Sequence, residues 1–425
     1  MLTTLLTARS LLSVSRLSEI ARKTSLVTRN SRKFCPGNFL LTLLKSVCSG
    51  KASFNQLAMS LGGSATLGMS KQAVHKRINK YAVAFLLQVI SDLLANHSSG
   101  TLEEFSKSGF KRILVEDSST LRLPKANAEL FPAHGNSSGS TAGVKCNLCY
   151  DLLSQQPISF SLHRATEQDR TIGKETLALA RKFDLILRDM GYFDLSEFLY
   201  LEGIGAFWFT RFPLTANLVS ASGIPLEMLL KNASGNKIDM KVFVGDVRHK
   251  CRLVAVRADQ QTTEKRRRDR RKKAQELGKT ASSAALERDG WHLMLTNLPA
   301  EQISVDTLAA LYRSRWAVEI QFRAWKQSLH IAAALNRKSN KWHVEALVCG
   351  SMIVALMGLK QMAIYARQVG LAVLSPEKIM DWITTDILLR ENPEKLTADP
   401  PEVRHIQRDV RARKSTVIQG ISALS

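Results

Sequence analysis

The stretch KRILVEDSST, residues 111–120, contains an apolar run that ends in charged and small polar residues. Its composition favours a buried β-strand, with Asp117 at the end. The stretch DLILRDMGY, residues 184–192, repeats this pattern and ends its apolar run at Asp189. In open α/β sheets, sites assemble in the crevice beyond the carboxyl ends of the strands. The two aspartates are therefore candidate site residues, although a single aspartate in this position is also typical of a turn or a cap.

The segments around these two stretches predict a mixed sheet. GVKCNLCYDLL and QPISFSLHRA flank SQQ and predict a β-hairpin. Residues 171–183 and the stretch DLSEFLYLEGIG have helical patterns, and AFWFTRF has the pattern of a strand. The resulting order β-β-β-α-β-α-β predicts an α/β fold built on a mixed sheet.

Residues 214–300 break this order with short β-like runs: LEMLL, DMKVFVGDV, CRLVAVRAD and WHLMLTNL. Between them lies KRRRDRRKK, residues 265–273, which has eight cations and one acid. Such a run is typical of a solvated helix or loop. In a DNA-binding protein, Arg266, Arg267 and Arg270 could instead contact phosphates. Residues 304–395 are mostly helical in pattern.

The charge balance points to a polyanionic partner. Among 425 residues, 60 Lys and Arg stand against 37 Asp and Glu, which gives a net charge of +23. Residues 1–100 alone have 13 Lys or Arg and only two acids. Nucleic acid is the most common partner of such a protein, and a membrane surface is the alternative. The longest apolar run, residues 346–359, is too short to span a bilayer, so we expect a buried helix and no membrane contact.

The N-terminal region contains a pattern typical of a helix-turn-helix. FNQLAMSLG is followed by a Gly/Ser-rich turn and by MSKQAVHKRINKYAVAFL, in which Ser70 can cap a helix. The exposed face of this helix is predicted to present Lys71, Gln72, His75, Lys76 and Arg77 to DNA. The alternative is a basic surface helix in an ordinary helical bundle.

The six cysteines are scattered, as is typical of reduced thiols in a cytosolic protein. Cys146 and Cys149 form a single CxxC without a second pair or a nearby histidine at zinc spacing. Their surroundings favour a strand over a metal site.

The stretch YRSRWAVEIQFRAWK, residues 312–326, predicts a helix with a polar stripe. Tyr312, Arg315, Glu319 and Lys326 fall within an arc of roughly 60° on one helix face. With Asp117 and Asp189, Glu319 would complete an oxygen-rich site for Mg²⁺ or Mn²⁺. Three acids can hold two such ions about 3.5–4 Å apart. Alternatively, Glu319 is a surface partner of Arg315.

The spacing Tyr312-(2)-Arg315-(3)-Glu319-(6)-Lys326 resembles the Y-(2)-R-(3)-E-(6)-K signature of IS4-family DDE transposases, which include the Tn5 and Tn10 enzymes. VEDSST and RDMGYF resemble the two aspartate motifs of that family. GWHLMLTNLP resembles the strand that closes its insertion domain. The resemblance covers roughly residues 50–370.

The resemblance implies an RNase H-like catalytic core, interrupted by a mainly β insertion domain, with helical N-terminal and C-terminal regions. Asp117, Asp189 and Glu319 are implied to be the catalytic metal ligands. Tyr312, Arg315 and Lys326 are implied to contact DNA phosphates, and Trp291 matches an aromatic residue that stacks on a flipped base in some relatives. A core tryptophan on a strand is the alternative for Trp291.

The implied function is cut-and-paste transposition of an insertion sequence. A homodimer would bind double-stranded DNA at the terminal inverted repeats, cleave it with two Mg²⁺ ions per active site, for which Mn²⁺ can substitute, and join the ends to target DNA. We expect this activity in the bacterial cytoplasm, at the nucleoid. The alternatives are a catalytically inactive DNA-binding protein derived from a transposase and an RNase H-like metal-dependent nuclease.

The domain organisation follows from these assignments. We expect a basic DNA-binding region over residues 1–105 and a catalytic core that begins at 106–213. The insertion should occupy 214–303, and the core should resume at 304–370 with the helix of the last acid. A helical C-terminal region and tail should follow at 371–425.

Overall fold

The computed structural model describes residues 12–29, 34–62, 69–95, 109–136, 139–154, 156–213, 216–315, 340–369 and 374–389. The strands within these residues are β1 (Arg112–Leu123), β2 (Pro132–Asn136), β3 (Gly139–Asp151), β4 (Gln156–Arg164), β5 (Asp184–Arg188), β6 (Phe207–Arg211), β7 (Leu218–Ser220), β8 (Lys237–Val244), β9 (His249–Arg257) and β10 (Trp291–Thr296). The helices are α1 (Val14–Lys23), α2 (Pro36–Ser49), α3 (Phe54–Gly62), α4 (Lys71–Arg77), α5 (Lys80–Ala95), α6 (Asp169–Leu177), α7 (Leu195–Gly203), α8 (Leu226–Lys231), α9 (Gln260–Glu276), α10 (Ser283–Arg288), α11 (Val305–Ser314), α12 (Lys341–Val369) and α13 (Pro376–Leu389).

The described residues form two compact units. The first contains residues 12–95, 118–167 and 340–389, with the gaps given above. The second contains residues 109–117 and 168–315. Strand β1 therefore contributes its first half to the second unit and its second half to the first.

A mixed sheet with the strand order β1-β5-β6-β10-β9-β8-β7 forms the framework of the second unit. Strands β1, β5 and β6 are parallel, whereas β10, β9, β8 and β7 continue the sheet in antiparallel pairs. The chain passes from β5 to β6 through α7, which begins where the Asp194 side chain accepts a hydrogen bond from the Ser196 amide. Because parallel neighbours need such a crossover, β5-α7-β6 is a βαβ unit.

The second unit includes the predicted insertion, and this segment is more helical than the sequence indicated. The run LEMLL lies in helix α8 and not in a strand. Pro225 precedes the helix, Glu227 lies in its first turn, and Leu226 and Leu230 bury one face. Apolar residues four apart favour a helix face over an alternating strand, which explains the difference. Helix α9, with 17 residues, is longer than either β8 or β9.

The first unit combines helices with a hairpin. Strands β3 and β4 pair antiparallel through residues 144–164, which confirms the predicted hairpin. Cys146 and Cys149 are buried within β3. All six cysteines lie in the described ranges, and none of them forms a disulfide.

Helix α12 is the central helix of the first unit and packs on α2, α5, α13 and β4. Gly350 allows a close approach to α2, because a Cβ there would lie 3.2 Å from Leu43. Residues Lys341–Met362 are long and apolar enough to cross a membrane, but 83% of their most apolar window is buried in the protein. The predicted buried helix is thus present.

Buried Arg252 joins the strands of the insertion to the segment that precedes α11. Its guanidinium donates to both carboxylate oxygens of Asp239, at 2.7 and 2.8 Å. It also donates to the carbonyl oxygens of Leu298, Pro299 and Ile303. Only 6% of Arg252 is exposed, so these acceptors satisfy a charged group that water barely reaches.

We expect Arg252→Met to destabilise the second unit by about 3 kcal/mol, because it leaves a carboxylate and three carbonyl oxygens without their donor. Thermal denaturation followed by circular dichroism should show a Tm lowered by roughly 2–4 °C for each kcal/mol. Lys241→Ala is the control, since Lys241 lies opposite Arg252 on β8 and is exposed. Equal Tm values for the two variants would contradict the anchoring role of Arg252.

Candidate active site

Asp117 and Asp189 lie on the same face of neighbouring parallel strands. Val115 of β1 is the Cα partner of Leu187 of β5, and each aspartate follows two residues later in its chain. Because side chains alternate along a strand, a step of two residues returns to the same face. Neighbouring strands are about 4.8 Å apart. Both aspartates are half-buried. Asp189 directly follows β5, as expected, whereas β1 continues past Asp117 to Leu123, so the predicted strand end at Asp117 is wrong.

Tyr312 and Arg315 accompany Asp189. The Tyr312 hydroxyl donates to Asp189 Oδ1 at 3.2 Å, and its ring meets Phe209 of β6 edge-on at 5.5 Å. Burial, and secondly the charge of Asp189, raises the pKa of Tyr312, so the phenol keeps its proton and acts as a donor. The Arg315 guanidinium lies 5.8 Å from the centre of the Tyr312 ring. The structure thus brings Tyr312 onto Asp189, with Arg315 next to Tyr312. Because Arg315 is only 4% exposed, its predicted contact with a DNA phosphate would require it to become exposed, and that role stays a prediction.

A buried ionic cluster holds the opposite face of the same two strands. Arg188 is 2% exposed, forms an ion pair with Glu116 Oε2 at 2.9 Å, and donates a hydrogen bond to Glu197 of α7. Its Nη2 also donates to the carbonyl oxygen of Gly173 at 2.6 Å. Thr176 of α6 donates to Glu116 Oε1 at 2.6 Å. The cluster therefore joins β1, β5, α6 and α7.

Two features of this cluster constrain its surroundings. Burial raises the pKa of Glu197, while the charge of Arg188 opposes that rise. Gly173 also leaves no room for a side chain, since a Cβ there would lie 2.9 Å from Tyr192 and 3.3 Å from Arg188 Nη2. The residues immediately before the two aspartates are thus fixed by charge and by close packing.

The donor set suits a hard cation. Carboxylate oxygens are the ligands that Mg²⁺ prefers, and Asp117 and Asp189 present them side by side. Within the described ranges, no group of three or more His, Cys, Asp or Glu residues could hold a metal ion. The third predicted ligand, Glu319, and the phosphate-binding candidate Lys326 lie outside the described residues.

Comparison with known proteins assigns the family. A family model described as the transposase DDE domain matches residues 108–357, which is more than half of the chain. The chain belongs to the DDE transposase family.

Curated relatives agree with this assignment. The chain is 28% identical over 371 residues to the transposase of insertion sequence element IS231E from Bacillus thuringiensis subsp. finitimus, covering 81% of this chain and 77% of that protein. It is 22% identical over 376 residues to the transposase of IS1151 from Clostridium perfringens, with the same coverage. A solved piggyBac transposase synaptic complex with hairpin DNA has a TM-score of 0.48 and 14% identity, covering 97% of this chain and 85% of that one. The protein is thus a transposase, an enzyme that acts on DNA.

The helix-turn-helix-like segment of the transposase forms helices α3 and α4. The Ser70 side chain caps α4 by accepting a hydrogen bond from the Ala73 amide. Four of the five predicted DNA-contacting residues are exposed: Lys71, Gln72, His75 and Lys76. The Nε2 atom of His75 lies 3.3 Å from Asn340 Nδ2, so this side chain also has a partner within the protein.

Arg77, the fifth residue of that set, faces inward. Its guanidinium donates to the carbonyl oxygen of Leu26 at 3.1 Å and lies 4.2 Å above the ring of Phe34. Burial lowers the pKa of Arg77. An arginine near a helix end can pack back onto an earlier part of the chain, here the segment between α1 and α2. The position of the residue on its own helix does not reveal this contact.

The three arginines predicted to bind DNA from the basic run are engaged inside the insertion. Arg270 donates to both carboxylate oxygens of Asp289 at 2.6 Å. Arg267 donates to the Leu286 carbonyl oxygen at 2.9 Å, and Arg266 donates to that of Trp291 at 3.2 Å. The exposed cations of the same helix lie on its other side. These contacts within the protein did not follow from the sequence, which lacked the position of Asp289, and DNA binding by the three arginines stays a prediction.

Trp291 lies in β10 and is only 2% exposed. The Arg257 guanidinium covers its ring at 4.3 Å, and Nε1 has no hydrogen-bond partner among the described residues. This placement agrees with a core tryptophan on a strand. Stacking on a DNA base would require the ring to become exposed, and that role stays a prediction.

Sequence reasoning missed Glu116, Arg188 and Glu197. A signal for the first two was present, because VED and LRD each place a charged residue between an apolar run and an aspartate. In a strand buried on both faces, such a charge requires a buried partner. Nothing in the sequence connected these residues to Glu197.

We expect Arg188→Gln to lower the free energy of unfolding by about 3–5 kcal/mol at neutral pH, because two buried carboxylates lose their counter-charge. Without Arg188, the pKa of Glu197 rises further. A carboxyl whose pKa is raised on folding loses its contribution to stability as pH rises through that folded pKa. The gap in Tm between the variant and the wild type should therefore be wider at pH 8 than at pH 5.

The matched control is Arg170→Gln, which removes a 59% exposed arginine paired with Asp194. The Asp194 carboxylate is buried, but the Arg170 guanidinium lies at the surface, where water screens it, so we expect a loss of only about 1 kcal/mol. If the difference in Tm between Arg188→Gln and the wild type stays constant between pH 5 and pH 8, the explanation by unpaired buried carboxylates is refuted.

Proposed function

We propose that this transposase moves an insertion sequence by a cut-and-paste mechanism of the IS4 type. The observation that carries the proposal is the placement of Asp117 and Asp189 on one face of parallel strands, with the Tyr312 hydroxyl on Asp189. The parallel strands and the β5-α7-β6 unit are what an RNase H-like core requires. The predicted division into core, insertion and terminal regions belongs to this proposal.

Asp117, Asp189 and Glu319 would hold two Mg²⁺ ions, and Mn²⁺ can take their place. Bound there, the ions would activate the attacking oxygen and stabilise the leaving oxygen of a phosphodiester. Tyr312 orients the Asp189 carboxylate by its hydrogen bond. Arg315 and Lys326 are assigned to DNA phosphates, where they position the scissile strand.

The reaction has two steps. A water molecule attacks a phosphorus atom at the transposon end and displaces a 3′-hydroxyl group. That hydroxyl then attacks a phosphodiester of target DNA and displaces a second 3′-hydroxyl, which joins the element to the target. The tightly placed carboxylates supply the preorganised geometry on which phosphoryl transfer depends.

The proposed substrate is double-stranded DNA at the terminal inverted repeats, with target DNA as the second substrate. Two copies of the chain would pair two ends as a homodimer in the bacterial cytoplasm. The exposed residues of α4 would read the end sequence: Lys71, Gln72, His75 and Lys76. Their position on a short capped helix that follows α3 supports this role.

The test uses the inverted repeats that flank the coding sequence in its genome. Purified protein is incubated with a duplex that carries one such end, in Mg²⁺ or in EDTA. We expect Mg²⁺-dependent cleavage at the end and, with target plasmid, strand-transfer products. Binding without cleavage would support an inactive DNA-binding protein, and cleavage without strand transfer would support a nuclease.

We expect Asp117→Asn and Asp189→Asn each to abolish cleavage while end binding persists. An amide keeps the shape of the side chain but lacks the charge needed to hold a divalent cation. Glu319→Gln should behave in the same way. Gel-shift and cleavage assays on the same end duplex separate binding from chemistry, and cleavage by either aspartate variant at the wild-type rate would disprove the assignment.

We expect Tyr312→Phe to fold normally, since its ring still contacts Phe209, and to cleave about tenfold more slowly, a loss of ~1.4 kcal/mol. Because Asp189 loses its orienting donor, half-maximal cleavage should need more Mg²⁺. Tyr81→Phe is the control, as Tyr81 is 41% exposed in the first unit. An unchanged Mg²⁺ requirement for Tyr312→Phe would show that its hydroxyl does not position the carboxylate.

A further inference from the structure

Helix α9 has no buried residue along its 17 residues. A surface helix normally stays in place by burying an apolar stripe, so this helix needs another anchor. The Asp259 side chain caps its first turn by accepting a hydrogen bond from the Thr262 amide. Arg266, Arg267 and Arg270 bind the segment 286–291 from one side of the helix. Polar contacts alone thus fix which side faces outward.

The opposite side, which we call the outer face of α9, consists of Lys265, Arg268 and Lys272. All three are exposed, and none makes a hydrogen bond or an ion pair with another described residue. Lys265, Arg268 and Lys272 are three and seven residues apart and share an arc of roughly 60°. The exposed acids of the helix are Glu264, which accepts a hydrogen bond from Gln260, Asp269 and Glu276, which follows Lys272 by four residues on the same side. The five exposed cations of α9 outnumber these three acids, so its exposed surface has a net positive charge.

Helix α9 borders the candidate active site within the second unit. Met190, which directly follows Asp189, lines a cavity of about 600 Å³ together with α9 residues. The same cavity is lined by the cations Arg211, Lys273 and Lys279 and by the acids Asp269 and Asp289. The inward arginines Arg266 and Arg270 also line it, so the cavity lies on the inward side of α9.

We propose that the outer face of α9 binds the phosphate backbone of duplex DNA, independently of base sequence. This inference rests on the proposed function, because it takes DNA as the substrate of the protein. Lysine and arginine side chains without protein partners are suited to phosphate oxygens, and such contacts fix position without reading bases. Lys265 and Lys272 are about 10 Å apart along the helix, and one DNA strand carries a phosphate every 3.4 Å of axis. The face can therefore engage about three phosphates.

The test compares two triple variants that lose the same charge. Lys265→Ala/Arg268→Ala/Lys272→Ala removes the outer face, and Lys231→Ala/Lys241→Ala/Lys250→Ala removes three exposed lysines elsewhere in the second unit. The probe is a labelled 40-base-pair duplex of random sequence, followed by fluorescence anisotropy from 50 to 250 mM NaCl. The outer-face variant should lower the slope of log affinity against log salt by about 2–3 and the affinity at 100 mM by at least about tenfold. The control variant should keep the wild-type slope.

A charge-conserving variant, Lys265→Arg/Arg268→Lys/Lys272→Arg, should also keep the wild-type slope. A wild-type slope for the alanine outer-face variant, or an equal loss in the control or charge-conserving variant, would overturn the inference. Wild-type cleavage of the terminal repeats is measured in parallel. The wild type could fail to cleave while the alanine outer-face variant still lowers the slope of log affinity against log salt. That result would refute the proposed function and support the DNA-binding surface.

Discussion

The contact of Arg188 with Glu116 and Glu197 is the constraint on which the rest of the second unit depends. Two almost fully buried carboxylates can be tolerated only because one buried guanidinium lies within ion-pair distance of both. The three groups come from β1, β5 and α7, so none of these elements can move without separating opposite charges. The cluster therefore sets the relative position of the two strands more strictly than apolar packing would.

The alternation of side chains along a strand couples this cluster to the candidate active site. Glu116 and Arg188 point to the buried face, so the next residues, Asp117 and Asp189, must point to the other face. A slip of one residue between the strands would bury an aspartate and expose a member of the cluster. The buried charges thus specify the register that places the two aspartates side by side, which explains why a protein would retain a costly buried ionic cluster.

Buried strand segments could be predicted from sequence, whereas the end of β1 and the orientations of the helices could not. The apolar runs before Asp117 and Asp189 report burial directly, but β1 continues past Asp117 to Leu123 through small and polar residues that give no apolar run. The inward side of α9 is chosen by Asp289, which lies 19 residues beyond Arg270 in the chain. The hydrophobic residues of α9 form no apolar stripe, so the sequence of the helix does not show which side faces the protein. Arg77 was misplaced for the same reason, because its partners Leu26 and Phe34 are distant in sequence.

These inward arginines change how the net charge of +23 relates to DNA binding. Arg77, Arg188, Arg252, Arg266 and Arg270 bind carbonyl oxygens, carboxylates or rings within the protein. A guanidinium suits this use, since it is planar, weakly hydrated and able to bind two acceptors at once. An ammonium group is more strongly hydrated, and lysines such as Lys265 and Lys272 are exposed. The density of positive charge along the chain therefore overstates how many cations this transposase exposes on its surface.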